Sequence, residues 1–407
     1  MEHKPIYSHH WIYNLVGKLN KRVFLFIFLS FCSSQGQLPE SALANELGCG
    51  NCHSGVAESE LIKNHAPDLS YAGSKYNAAY LYYYILNPKK VRHHIGNSRM
   101  PNFGFSDDEA LALTLFLMSK TSLPMDRKLK KRKIVGSDNG VELIHSDYQC
   151  TACHTLNGLG VEKSTDLSSA GLRLNQDWIF DLILKPSAYI SNQSPMPSFF
   201  DSGDPSAEKT ISSIVGYLID LGSIDLHELD KILTKVKKAY PDVTKEMGRD
   251  IYLSQNCLAC HKMDGEVNWF KSHNAPDLTH QRMKTSTDWL SQYLKDTKPI
   301  RPNGYFPGTG SRMPNYNLTD SEVESLSEWI GGAISKTKLP PISAFQSDKV
   351  ERLLSEFLPC LGCHQLNGKG GKIGPNLSNV GNRLTDGFIK MAIQMPHMVM
   401  PESIMPN

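Results

Sequence analysis

The sequence predicts a mainly α fold built from four small helical units in two halves. Three observations carry that reading. One short string recurs four times at intervals of about 100 residues: Cys49-Gly-Asn-Cys52-His53, Cys150-Thr-Ala-Cys153-His154, Cys257-Leu-Ala-Cys260-His261 and Cys360-Leu-Gly-Cys363-His364. Most intervals repeat one order of helix, turn and proline signals. Strand-like alternation is scarce throughout.

The elements follow in order within a unit. A helix such as Glu142–Tyr148 or Lys245–Leu253 leads into the string, and a loop follows it. Next comes an aromatic-led helix, at Tyr80–Leu86, Trp178–Leu184, Trp289–Leu294 and Phe388–Ile393. Pro88, Pro186, Pro299 and Pro396 stop these helices, since proline cannot donate to the helix ladder. A Met-Pro turn then precedes a final amphipathic helix, as at Ser106–Ser119 and Thr319–Ile334. Ser106-Asp-Asp-Glu109 and Thr319-Asp-Ser-Glu322 open those helices with capping signals.

The texts of the units pair them. His65-Ala-Pro67-Asp68-Leu69 and Ser98-Arg-Met100-Pro in the first answer Asn274-Ala-Pro276-Asp277-Leu278 and Ser311-Arg-Met313-Pro in the third. The second and fourth share Leu-Asn-Gly after the string, then Asp166-Leu-Ser and Asn376-Leu-Ser. The offsets are 208 and 210 residues, as expected of a two-unit module duplicated in tandem. The expected boundaries are 1–34 for a leader and 40–121, 139–223, 244–336 and 347–407 for the units. The halves join near 223–246, where a basic amphipathic helix is expected from Leu226, Leu229, Leu233 and Val236 among lysines. Residues 336–346 hold Pro340-Pro341 and read as extended. Arg127-Lys-Leu-Lys-Lys-Arg-Lys133 is the one concentrated basic run, read either as a solvated linker or as a dock for an acidic partner or anionic lipid.

Cys-x-x-Cys-His is the attachment string for a c-type haem. Two thiols add to the porphyrin vinyl groups, and the adjacent imidazole is held where it can bind iron. Four strings use eight of nine cysteines, so four haem c groups are expected, on Cys49, Cys52, Cys150, Cys153, Cys257, Cys260, Cys360 and Cys363. His53, His154, His261 and His364 are the proximal iron ligands. A zinc site would need four ligands, and successive pairs 101, 107 and 103 residues apart fall far outside zinc-ribbon spacing. A thioredoxin-type motif would occur once, in a βαβ setting.

Each unit also places a methionine before proline: Met100, Met196, Met313, and Met400 or Met405, at 47, 42, 52 and either 36 or 41 residues past the histidine. String and methionine in this order resemble the class I cytochromes c, from about residue 40 to the end. That resemblance implies four class I cytochrome c-like helical domains as two dihaem halves. It implies a distal thioether on each iron from Met100, Met196, Met313 and Met405, which fits better than Met400 because 41 residues is close to the 42 of the second unit. It also implies that Pro67, Pro276 and Pro375, with Thr165 in the second unit, accept from the proximal imidazole. Lys75, Arg173, Arg282 and Arg383, with Trp178 and Trp289, would meet haem propionates. His93, His94, His273 and His280 are rival distal ligands. Only His145 and His397 are spare in the second and fourth units, so an all-bis-histidine reading fails.

Lys18, Lys21 and Arg22 precede nine nearly unbroken apolar residues ending at Phe31, the length of a secretory h-region and too short to span a bilayer. A periplasmic or outer-face location is therefore expected. Cys32 resembles a lipobox cysteine, though Phe31 departs from the small residue usual before it; the alternative is a cleaved leader with Cys32 discarded. The chain is formally +2, and residues 1–31 carry four basic and one acidic residue, so the remainder is slightly acidic. Haem propionates add to that, which excludes nucleic acid as a natural partner. The fourth unit stops at Met405-Pro-Asn407 without a closing helix, so an open fourth haem is expected. The function expected is electron transfer between redox partners, with no catalytic residue. The alternatives are a haem-bearing subunit of a respiratory or dehydrogenase complex and a dihaem peroxidase, which needs one iron with an open position.

Overall fold

A computed structural model describes residues 40–124, 127–134, 139–189, 196–201, 203–267, 275–304, 310–331, 344–400, 403 and 405–406. The expected leader, Cys32, His273 and Pro340-Pro341 lie outside these residues. In the first unit, α1 (Glu40–Leu47) enters the string, and α2 (Glu60–His65) is capped by Ser59, whose side chain accepts from the Ile62 N–H. Then come α3 (Ala72–Lys75), α4 (Ala78–Leu86) and α5 (Asp107–Met118). In the second, α6 (Gly140–Glu142) runs into a π turn at Leu143–Asp147. A hairpin of β1 (Thr155–Leu156) and β2 (Leu159–Gly160) follows, then α7 (Ala170–Arg173), α8 (Gln176–Leu184) and α9 (Pro205–Ala239). The third holds α10 (Lys245–Ser254), α11 (Gln281–Lys284), α12 (Thr287–Lys295) and α13 (Asp320–Ile330). The fourth repeats the second: α14 (Ala344–Arg352) with a π turn at Leu353–Phe357, α15 (Cys360–Cys363), β3 (Gln365–Leu366) paired with β4 (Lys369–Gly370), α16 (Val380–Arg383), α17 (Asp386–Gln394) and α18 (Pro396–Val399).

The expected capping boxes form: the Thr319 and Ser106 backbone N–H groups donate to Glu322 and Glu109 at 2.8 and 3.0 Å. No helix of the described residues is long and apolar enough to cross a membrane.

Two expectations need correcting. The last helix of the second unit and the basic linker after it are one rod. α9 runs 35 residues, roughly 50 Å at ~1.5 Å per residue. Gly222 allows the rod to lie against Leu172, whose N would stand 2.5 Å from any Cβ there. Its second half is no free linker: Leu226, Leu229, Leu233 and Val236 pack onto the core of the first unit.

The second correction concerns which pieces close each core. The boundaries 40–121 and 244–336 suggest that each odd unit packs its own first helix on its own last. Instead α10, from the third unit, packs on α5 of the first, and α1 packs on α13 of the third. One core therefore joins Tyr82, Leu113, Phe116 and Leu117 to Tyr252, Leu258 and Met263, and another joins Leu43, Ala44 and Leu47 to Leu290, Val323 and Leu326. The rod supplies the reason. α9 lies along α4 and touches α5, and a short turn with Val243 N–H donating to the Tyr240 carbonyl delivers α10 directly beside α5. The exchange leaves a pseudo-two-fold about an antiparallel bridge, Asn102 to Asn315, with N···O distances of 2.6 and 2.7 Å. Around it, Arg99 grips both oxygens of Glu322 at 3.0 and 2.8 Å, and Arg312 reaches Glu109 at 2.5 Å. Outer bridges, Tyr76 to Leu174 and Thr285 to Leu384, attach each even unit to an odd body.

Two predictions follow from this packing. A Cβ at Gly248 of α10 would stand 2.0 Å from the Ala112 carbonyl oxygen of α5. Gly248→Ala should therefore cost ~1–3 kcal/mol in denaturant unfolding of the holoprotein, as overpacking does; unaltered stability would refute the close crossing. At Glu322, burial raises the carboxyl pKa, but Arg99 and the Thr319 cap lower it further, for a net shift below the usual range. A depressed carboxylate stabilises above its unfolded pKa of about 4.3, and that stabilisation is lost as pH falls through the folded value. Unfolding measured from pH 6 to pH 3 should show an acid loss of stability that shrinks in Glu322→Gln.

Candidate haem sites

Each Cys-x-x-Cys-His string is one tight turn. The N–H of His53, His154, His261 and His364 donates to the carbonyl of the first cysteine, at 2.9, 3.0, 2.9 and 2.9 Å. That closure puts both sulfurs and the imidazole on one side of a single helical turn, as two-point attachment with an adjacent ligand needs. Three turns are entered from the left-handed region, by Gly48, Gln149 and Asn256 at φ of 72°, 48° and 55°. Asn256 is a residue type enriched in that conformation, whereas Gln149 holds it without being glycine or asparagine.

The proximal imidazoles are oriented as the resemblance implies in the even units. His154 Nδ1–H donates to the Thr165 carbonyl at 2.7 Å and His364 to the Pro375 carbonyl at 2.8 Å, leaving Nε2 free for metal. In the odd units the partners are exchanged. His53 donates to Pro276 at 2.8 Å, and His261 to Pro67 at 3.0 Å. The neighbouring backbone follows: Leu278 N–H reaches Ser54, and Leu69 N–H reaches Lys262, both at 2.9 Å. Pro67 thus serves the third string and Pro276 the first. Even units keep their own carbonyl because the hairpin returns the chain within 11 residues; odd units take 14 and 15 residues.

Burial lowers the pKa of His53 and His261 and outweighs the carbonyl partners that raise it, favouring the neutral imidazole that binds metal. Burial pushes the Cys49, Cys257 and Cys260 thiols up to about 12 and Cys52 to about 11. Such thiols are not thiolate nucleophiles of the redox-motif kind. Strings one and three stand back to back: Asn51 Nδ2 donates to the Ala259 carbonyl at 2.7 Å, and Asn256 Nδ2 lies 3.9 Å from Cys52 Sγ.

All twelve cysteines and histidines of the strings line one continuous, largely apolar cavity of about 3970 Å³, together with Met100, Met196, Met313, Met400 and Met405. An ordinary small-molecule site has ~300–1,000 Å³, so this space suits several large planar groups. Buried polar atoms are aimed into it. Among the described residues, Trp178 Nε1 and Tyr252 Oη have no hydrogen-bond partner. Arg173 is only 9 % exposed, and burial lowers its pKa. Burial, followed by the like charge of Arg301, lowers Arg383 to about 10. An anionic edge such as a pair of propionates answers these groups, so the residues fit haem. Among the described residues no three His, Cys, Asp or Glu converge as a zinc centre would need.

Other expected site residues are placed differently. Arg282 is exposed and donates to the Trp329 carbonyl, so it caps α13. Lys75 sits 5.5 Å from the Trp178 ring centre, among aromatic rings between the first two units. Met400 Sδ accepts from Arg301 at 3.2 Å. His93, His94, His280 and His397 are exposed, and His94 and His280 also line the cavity. Two arginines of the basic run are held by the second unit, Arg127 bonding Asp181 at 2.6 Å and Arg132 covering the Phe180 ring at 3.9 Å, while Lys128, Lys130, Lys131 and Lys133 are exposed.

Sequence reasoning missed the hairpins that close over the even strings, although Asn157-Gly158 and Asn367-Gly368 are a known hairpin signal. It also missed Gly374, where a Cβ would stand 2.7 Å from the His364 ring. Gly374→Ala should displace that imidazole and perturb one haem only. Low-temperature electron paramagnetic resonance should show one altered low-spin signal; four unchanged signals would show that the ring has room.

A family model described as cytochrome c matches residues 41–121, 246–333 and 353–402, together more than half of the chain. No characterised protein and no solved structure matches it.

Proposed function

The chain belongs to the cytochrome c family as a multihaem member with repeated domains, and we propose that it carries four covalent haems outside the cytoplasm and passes electrons between redox partners. The observation that supports this most is the opening of four equivalent Cys-x-x-Cys-His turns onto one continuous cavity. Bound haem supplies one-electron chemistry at iron, with no bond made to a substrate. The protein's part is holding and tuning. Cys49, Cys52, Cys150, Cys153, Cys257, Cys260, Cys360 and Cys363 attach the groups, and His53, His154, His261 and His364 present Nε2, fixed by carbonyls on Nδ1. Met100, Met196, Met313 and Met405 are the soft distal donors on the cavity wall. Arg173, Arg383 and Trp178 answer the propionates.

The leader-like sequence at residues 1–34 supports a periplasmic or outer-face location, with Cys32 as a site for a lipid anchor. The partners are a redox-protein donor and acceptor, one of them a membrane complex, and not nucleic acid. Mass spectrometry after acid–acetone extraction should find four haem masses on the chain, and each paired Cys→Ser change in a string should remove one. A count below four, or zinc in their place, would sink the proposal.

A further inference from the structure

We propose that the two odd haem sites are completed across the halves: the iron held by Cys49, Cys52 and His53 takes Met313, and that held by Cys257, Cys260 and His261 takes Met100. The inference rests on the proposed haem and methionine ligation and adds which pieces build each site. Three features lead to it. The proximal hydrogen bonds run from His53 to Pro276 and from His261 to Pro67. The first helices pack on the opposite last helices, α1 on α13 and α10 on α5. The apolar cores agree with both. Cys49 and Leu47 share a core with Met313, Trp289 and Tyr316. Cys257 and Leu258 share one with Phe103 and Phe105, in the segment that leads from Met100 into α5. The pseudo-two-fold about Asn102 and Asn315 makes Met100 the counterpart of Met313, so what holds for one holds for the other.

The order of the sites in space then departs from their order in the chain. The body of the first unit, which receives the third string, is joined to the second unit by the Tyr76–Leu174 bridge and by Tyr71 stacked on Trp178 at 5.1 Å. The third and first strings touch through Asn51 and Ala259. The body of the third unit, which receives the first string, is joined to the fourth by the Thr285–Leu384 bridge and by the Asn376 N–H donating to Ile300. The four sites therefore neighbour one another in the order second, third, first, fourth.

The test uses the full chain with its haems. In a C49S/C52S background, with three haems left, M100H should still remove one thioether-to-iron near-infrared band, and M313H should remove none. The reverse result, M313H active and M100H silent, would overturn the exchange. Silence of both, with three haems counted by mass, would overturn methionine ligation at these two sites. Should the three-haem variant not fold, zero-length carbodiimide cross-linking of the unaltered holoprotein decides. Lys262 lies 3.4 Å from Asp68 and 3.3 Å from Asp264, and Lys120 lies 3.1 Å from Glu266. Exchange yields linked Lys262–Asp68 and Lys120–Glu266 peptides. Links from Lys262 to Asp264 alone, with Lys120 free of Glu266, would refute it. Because these links do not depend on iron ligands, their failure is distinct from a failed haem count.

Discussion

The hydrogen bond from each proximal imidazole to a loop carbonyl is the constraint around which the molecule is arranged. It sets the tautomer that leaves Nε2 available, and it requires that a turn carrying two cysteines meet a loop some distance away in the chain. In the even units a two-residue hairpin brings the loop back at once, so His154 finds Thr165 and His364 finds Pro375. In the odd units nothing so short intervenes, and the carbonyl comes from the opposite half. Once those two bonds are exchanged, the helices that precede the strings must travel with them. The reciprocal Arg99–Glu322 and Arg312–Glu109 pairs then clamp the centre where the halves meet.

The long rod α9 turns this possibility into one outcome. Its first half belongs to the second unit, burying Ile211, Ile214, Val215 and Leu218 there, while Leu233 is buried in the core of the first. A rod that ends beside α5 leaves α10 little choice of neighbour. Gly248 allows the two helices to approach closely, with Phe116 and Tyr252 meeting at 5.4 Å between ring centres. Burial of apolar faces, rather than helix propensity, accounts for the stability of such short helices.

Much of this was legible in the sequence, and the reasons differ by element. The four turns, the aromatic-led helices α4, α8, α12 and α17 and the capping boxes of α5 and α13 are local signals, decided within a few residues. The pairing of odd with odd and even with even units was legible as shared text and reappears as matching bridges offset by about 210 residues. The exchange was not legible for the same reason: two bodies with nearly the same text offer the same partner to either string, so pattern alone cannot say which is used. The unity of α9 was hidden because a change from apolar to basic composition looks like a domain edge, although no proline interrupts the helix. Arg282 and Lys75 were read from register alone, and what a side chain touches depends on the element packed opposite.

The exchange also has a consequence for how the chain is put together in time. A chain leaves the ribosome from its N-terminus, so Cys49, Cys52 and His53 emerge early, while Pro276 and α13 follow more than 200 residues later. The earliest string must therefore wait unfinished, its apolar helix α1 uncovered, until the third unit has arrived. The third string meets the reverse situation: the body that receives it is already present when α10 appears. Maturation of the first site is thus the last step of the central pair, and a chain interrupted before α13 would leave it open however well the rest had folded.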